Sequence, residues 1–353
     1  MAILIEGREG FCLSLVAGTY REASLVFIEA ITPVHVGTGR AIGVVDLPIQ
    51  RDAFGYPVIP PSSLKGPLRA RFVSELVPKL IKDGKKLDEA INEANRNPII
   101  KALFGPPPEV RGVTEMFTGA IAILEGKLLA IPARSLRGVW IYITTPQLLR
   151  YFKTYTKLYF DIYGSEDAKR YYDIAKALLE KTTQELSEDT AIVTSNALQK
   201  TAIGNEIVLN EEFKLKVRSL KEVDTFLNNL PKQCTLTEVG LAVVPDTIGR
   251  EIIERSIIRQ ARVRLKPAIK VVDEGPWLEE NVPEYTIFVT VFLYSMVRKA
   301  DVAEEFRKLT GKEPGEKEIK EYITEKLKLK EGGYLILGGH ETIGRGIVKL
   351  LGV

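Results

Sequence analysis

Between Thr32 and Pro61 a glycine or proline recurs every few residues: Pro33, Gly37, Gly39, Gly43, Pro48, Gly55, Pro57, Pro60 and Pro61. No helix propagates through such spacing, because proline removes a backbone donor and glycine costs about 1 kcal/mol relative to alanine. Those thirty residues must therefore be loop and short extended pieces. Just before them, Leu25, Phe27, Glu29 and Ile31 alternate as a half-buried strand would. Just after them, Ser62 or Ser63 is placed to cap a helix running to about Asp83, with Pro67 near its first turn. A strand and a helix joined by a long glycine-bearing loop is the framework the rest of the chain must accommodate.

Elsewhere the pattern is mixed. Phe117 to Leu124 and Lys127 to Ile131 read as a hairpin across Glu125-Gly126, and Val139 to Thr144 as a further strand. Thr145-Pro146 is a cap and first-turn pair opening a helix to about Tyr163, and a second helix fills roughly 166–187. Strands follow at 205–209 and 213–219, short helices at 220–229 and 247–258, and a strand at 261–266. A β-rich run spans 284–296, helices lie near 301–310 and 315–328, and Gly333 to Leu337 pairs with Gly346 to Leu350. Strands alternate irregularly with helices, so the fold class is α+β with antiparallel sheets, not a doubly wound parallel sheet. The stretch 105–112, GPPPEVRG, reads as a turn-rich loop. At 353 residues the chain accommodates one elaborated domain or two.

A net charge of +3 is too small to mark the whole chain as a nucleic-acid binder, so any basic patch must be local. Cys12 and Cys234 lack metal-ligand spacing, which points to a reduced, cytoplasmic compartment. Glu6, Arg8 and Glu9 stand where a signal peptide needs an apolar run, and no uncharged stretch reaches membrane-spanning length.

Several residue groups are suited to phosphate chemistry. Gly37, Gly39 and Gly43 miss the dinucleotide fingerprint by one residue and lead into no helix, and no P-loop motif occurs. Gly338, Gly339, Gly344 and Gly346 form a tight turn whose N–H groups can cradle phosphate beside Arg345, or simply need positive φ. Asp46, between Val45 and Leu47, is either a turn-capping carboxylate or a general base and metal anchor. His35 and His340 each lie beside a glycine loop; converging, they would form a metal-independent acid–base pair. Ser62-Ser63 lacks the nucleophile-elbow context of a hydrolase. Lys65 and Arg69 share one face at the start of their helix, either a solvated face or one where the dipole favours anions. Arg262, Arg264 and Lys266 alternate along a strand, a stripe of like charge that needs an anion over it. Trp277 and Leu278 follow the turn-rich Asp273-Glu274-Gly275-Pro276 as an apolar hairpin tip able to wedge between bases or to pack against a neighbouring subunit. Glu279 and Glu280 read as a solvated pair or as a second acidic contributor.

The segments HVGTGRAIGVVDLPIQRD, GYPVIPPSSLKGPLRARF, FTGAIAILEGKLLAIPARSLRGVWIYITTP and GGHETIGRGIVKL, in that order, resemble the backbone subunits of type III-B CRISPR effector (Cmr) complexes, within the RAMP superfamily. The resemblance runs from about Phe27 to the C-terminus. It implies a ferredoxin-like, RRM-like antiparallel core in a single elaborated domain. The palm core would comprise about 24–72, 117–145, 190–260 and 284–353. Helical insertions would fall at about 73–113, 146–190 and 300–330, with a projecting thumb at about 259–285. It further implies an endoribonuclease that stacks with other copies of itself and other Cmr subunits along a guide CRISPR RNA, cutting target RNA at regular intervals. By motif match Asp46 is the catalytic acid, acting with a divalent metal such as Mg²⁺ or Mn²⁺ that it would bind. His35, Ser63, Lys65, Arg69, Arg262, Arg264, Trp277, Gly338, Gly339, Gly344 and Arg345 would contact RNA. The sequence shows no arranged histidine pair. Three other readings stand beside this one: a purely structural RNA scaffold, the type III-A equivalent, and a metal-independent guide-processing ribonuclease using His35 and His340.

Overall fold

The computed structural model describes residues 19–41, 43–107 and 117–353. The N-terminal residues through Cys12 and most of the proline-rich GPPPEVRG stretch lie outside the described residues.

The fold is organised around β1 (Glu22–Ala30), which pairs antiparallel with β12 (Ile287–Tyr294) on one side and β14 (Ile347–Gly352) on the other. Every β1 residue from Ala23 to Ala30 is buried, so the strand is covered on both faces and not half-buried as its alternation implied. The physical reason is that helices lie on each face. Ala23, Leu25 and Phe27 join one core with Leu149 and Phe152 of the Pro146–Tyr163 helix. Val26, Ile28 and Ala30 join a second core with Ile319 and Ile323 of the Glu316–Lys326 helix and Leu64, Leu68 and Phe72 of the Pro61–Lys82 helix. Each fully buried side chain of this size contributes about 1.5–3 kcal/mol of transfer free energy.

The main sheet continues from β12 through β4 (Gly126–Ser135), β5 (Val139–Thr144), β9 (Leu241–Val243), β6 (Thr190–Val193), β8 (Phe213–Arg218) and β7 (Glu206–Leu209). A bridge between Ser135 and Leu209 returns β7 to β4, closing these six strands into a barrel-like ring. Two pairings in the ring, β5–β9 and β6–β8, are parallel. At the other end β13 (Gly333–Ile336) pairs antiparallel with β14, as the C-terminal pattern predicts.

Two local expectations are corrected. β3 (Ile121–Ile123) and β4 do not pair with each other. Both lie along β12, β3 against Phe292–Tyr294 and β4 against Ile287–Val289, so Leu124-Glu125 is a break in one edge and not a hairpin turn. Leu124 N–H still donates to Val291, which holds the break in register. The Pro61–Lys82 helix begins at Pro61 with Pro60 as its cap, and neither Ser62 nor Ser63 caps it. A proline disfavours helical geometry in the residue before it and is itself preset for the first helical position, so Pro60-Pro61 ends the loop without a side-chain cap. Pro67 falls inside the helix.

β10 (Ile258–Leu265) and β11 (Val272–Asn281) form a separate two-stranded ribbon with register Ile258↔Asn281 to Arg262↔Trp277 at its root. Its far end, around Ile269 and Val271, is exposed. Among the described residues no helix is long and apolar enough to cross a membrane.

Candidate nucleic-acid interface

The glycine loop after β1 folds back on itself. Gly37 bridges Ile49, Thr38 N–H donates to Pro48 at 3.0 Å, and Ala41 N–H donates to Asp46 at 3.0 Å. This small hairpin is fastened to β11: Asp46 and Leu47 N–H groups both donate to the Leu278 carbonyl at 3.1 Å, and Glu280 N–H donates to Leu47. The Asp46 carboxylate accepts the Leu278 N–H through Oδ2 at 2.7 Å. The aspartate thus does cap backbone, as one reading held, but across the fold instead of within its own turn. Among the described residues its Oδ1 has no hydrogen-bond partner. It lines a cleft of about 560 Å³ with Arg40, Arg262, Glu274, Trp277, Glu279 and His340.

At the base of this cleft lies a charged hub that the sequence did not reveal. Glu279, read as solvated, is fully buried. It accepts from Arg345 Nη1 at 2.7 Å, Trp277 Nε1 at 2.8 Å and Arg262 Nη1 at 3.2 Å, with His340 Nε2 3.6 Å away. Burial opposes its charge, but the Trp277 and Arg345 hydrogen bonds and the His340 and Arg262 charges outweigh that and hold its carboxyl below the usual range. Glu280 is also buried, not solvated, and accepts from Arg51, Arg259 and the Ile49 N–H. The two carboxylates point to opposite sides because successive strand residues do. Adjacent acids on one strand set against Arg259 and Arg262 on the partner strand were the available signal.

This geometry revises four site expectations. Arg345 is nearly buried on Glu279, Asn281 and Gln260, so its charge is not presented to phosphate. The N–H groups of Gly339, Gly344, Arg345 and Gly346 donate to His35, Glu341, His340 and Pro33, leaving none of the four for an anion. The positive φ of Gly338, His340, Gly344 and Gly346 shows why the loop is glycine-rich. The cation stripe already has its anions: Arg262 on Glu279, Arg264 on Glu274, and Lys266 beside Asp273. Trp277 sits at the ribbon root opposite Arg262, not at the tip, which the 266–271 turn forms.

The histidines do converge, with ring centroids 5.2 Å apart, contrary to the expectation of no arranged pair. His35 is buried, however, and its Nδ1 is 2.6 Å from the Glu280 carbonyl. A Cβ on Gly37 would stand 2.5 Å from His35 Nε2, so the missing side chain there makes room for the ring. Burial lowers the His340 pKa, Glu279 partly offsetting this and His35 and Arg345 adding to it.

Lys65 and Arg69 line a second cleft with Ser62, Gly66, Phe104 and Phe117, of about 700 Å³. Arg69 lies two turns into its helix and donates to Asn95 and to the carbonyls of Gly105 and Pro106. Lys65 Nζ donates to the Ile121 carbonyl. Burial lowers both pKa values, and for Lys65 the neighbouring Arg69 adds to the effect.

A mixed sheet closed at one end, with two glycine loops and a ribbon root converging on a single aspartate, has the architecture of a protein class built on such loops. The chain belongs to the RAMP superfamily, whose family model matches residues 27–349. It is 30% identical over 342 residues to the CRISPR system Cmr endoribonuclease Cmr4 of Pyrococcus furiosus, covering 93% of this chain and 95% of that protein. It is likewise 30% identical over 348 residues to the CMR subunit Cmr4 of Saccharolobus solfataricus, covering 92% and 94%. Among solved structures, the apo state of a type III-B Cmr-β assembly contains a chain with 30% identity and a TM-score of 0.67, matched over 95% of this chain and 98% of that one. An oligomeric Cmr4 from Pyrococcus furiosus matches at 25% identity and a TM-score of 0.54, over 94% and 99%.

Proposed function

We propose that this chain is the repeating backbone subunit of a type III-B RNA-guided effector. It binds guide RNA, associates with further copies and with other Cmr subunits, and cuts complementary target RNA at each copy. The observation that carries this is Asp46: its carboxylate is pinned by Leu278 at the mouth of a cleft between the glycine loop and the ribbon root. The relatives supply the context, one named an endoribonuclease and one a Cmr-β assembly bound to cognate target RNA at 29% identity and a TM-score of 0.66.

In this reading the ribbon 258–281 is the thumb, projecting from a ferredoxin-like palm centred on β1 and β12, and the whole chain is one domain in the cytoplasm. Ser63, Lys65 and Arg69 lie along the guide; Arg69 acts chiefly by holding the Asn95 and Gly105 walls of that cleft. RNA carries its own nucleophile, the 2′-hydroxyl, so positioning supplies much of the rate. Asp46 accepts the hydroxyl proton. The donor set does not fit a protein-built metal site. Asp46 offers one free oxygen, Glu279 is consumed by its arginines and tryptophan, and no group of three ligating side chains occurs among the described residues. No step here runs through a metal.

The test is a reconstituted assembly with guide and complementary RNA, resolved on a sequencing gel with and without chelator. Asp46→Asn should abolish evenly spaced cleavage while RNA binding persists. Cleavage by Asp46→Asn at the normal rate refutes the reading. The converging histidines favour one rival, an acid–base pair; in that case His340→Asn, not Asp46→Asn, abolishes cutting.

A further inference from the structure

Two cations line the Asp46 cleft among its described residues, Arg40 and Arg262. Arg262 is committed to Glu279 at 3.2 Å. His340 is biased toward its neutral form by burial. Arg40 is exposed and among the described residues forms no hydrogen bond or ion pair, even with Asp46, although the next residue, Ala41, donates its N–H to the Asp46 carbonyl. The loop hairpin therefore carries one free guanidinium and one half-free carboxylate beside each other on the same rim.

An RNA phosphate entering this cleft meets Asp46, Glu274 and Glu279. Glu279 and Glu274 are neutralised by arginines of the ribbon, and among the described residues lining the cleft Arg40 is the guanidinium left to offset the substrate's own charge. We propose that Arg40 is a catalytic residue whose guanidinium grips the non-bridging oxygens of the scissile phosphate, an assignment that rests on the Asp46 reading above. In the step, the 2′-hydroxyl proton passes to Asp46, the O2′–P bond forms, and charge accumulates on the two oxygens held by Arg40. The P–O5′ bond then breaks, O5′ takes a proton from water, and the products are a 2′,3′-cyclic phosphate and a 5′-hydroxyl. A planar, permanently charged fork suits two phosphate oxygens at once, which a lysine does not reproduce.

The experiment is single-turnover cleavage by the full assembly with saturating complementary RNA, comparing wild type, Arg40→Ala, Arg40→Lys and Asp46→Asn. Loss of one preorganised donor to a developing oxyanion costs about 10²–10³-fold in rate. Arg40→Ala should fall by that factor at saturation, Arg40→Lys should lie between, and added guanidinium should partly restore Arg40→Ala but not Asp46→Asn. Because Arg40 is exposed, the variant should assemble normally, and binding of labelled target by the same preparation confirms it. Wild-type cleavage by Arg40→Ala, or a deficit that saturating RNA erases, overturns the proposal while leaving Asp46 in place. Normal cleavage by Asp46→Asn with a slow Arg40→Ala removes the Asp46 reading and leaves Arg40 as the phosphate ligand.

Discussion

Replacing Glu279 tests whether the ribbon is held to the sheet by a buried charge. Glu279 is fully buried and serves Arg345, Arg262 and Trp277 at once. Removing one partner of a buried ion pair costs about 3–5 kcal/mol, because the surviving charge is left without compensation. Here the cost falls toward the lower bound for two reasons. Arg345 keeps neutral acceptors in Asn281 at 3.0 Å and Gln260 at 2.6 Å. Arg262 has 29% of its side chain exposed and can turn to water. Glu279→Ala should therefore destabilise by about 3 kcal/mol, and Glu279→Gln, which retains an acceptor for Trp277, by about 2 kcal/mol. Urea denaturation measures the total, and amide hydrogen exchange along 272–281 shows whether the loss is local to the ribbon root. A Glu279→Gln/Arg345→Met double variant should recover at least half of the Glu279→Gln loss, since both charges are then gone. If Glu279→Gln changes stability by less than about 0.5 kcal/mol, the hub does not hold the ribbon and the reasoning fails.

Gly338→Ala should destabilise by at least 1–3 kcal/mol, the ordinary cost of forcing a side chain into the left-handed region, because φ is +75° and a Cβ would collide with the His35 carbonyl; thermal melting checks it. Arg69→Ala should lower the melting temperature even without RNA, since it strips donors from Asn95, Gly105 and Pro106; an unchanged melt would make Arg69 a pure RNA contact. Acidification should loosen the ribbon root in two stages. His340 has a lowered folded pKa, so the unfolded chain binds the proton first and stability falls as pH drops through about 6.5. Glu279, also lowered, contributes stability above about 4.3 that is lost as pH falls further through its folded value. Melting curves between about pH 7.5 and 2.5 should show both, and His340→Asn should remove the first.

Much of the architecture was legible because local rules were strong. Thr145-Pro146 opens its helix with the threonine accepting from Leu148 N–H, and the helix ends at Tyr163 before a left-handed Gly164. The 206–209 and 213–218 strands pair as a hairpin. Short apolar runs were harder. Thr190–Val193 and Leu241–Val243 are only four and three residues long, too brief for any periodicity, yet they complete the ring. The Phe117–Ile131 hairpin misled because two strand-like runs around Glu125-Gly126 look the same whether they pair with each other or share a third strand.

By itself the amino-acid order determined the α+β class and a glycine loop that cannot be helix, since these follow from backbone sterics and from patterns read over a few residues, and it singled out Asp46 as the carboxylate of that loop. Only the tertiary structure decided which charges are free. Arg262 and Arg345 look like RNA contacts until Glu279, 17 and 66 residues away, is seen to hold them. Glu279 in turn looks solvated until the loops close over it. Ion pairing depends on distance through space and on exclusion of water, and neither quantity is written along the chain.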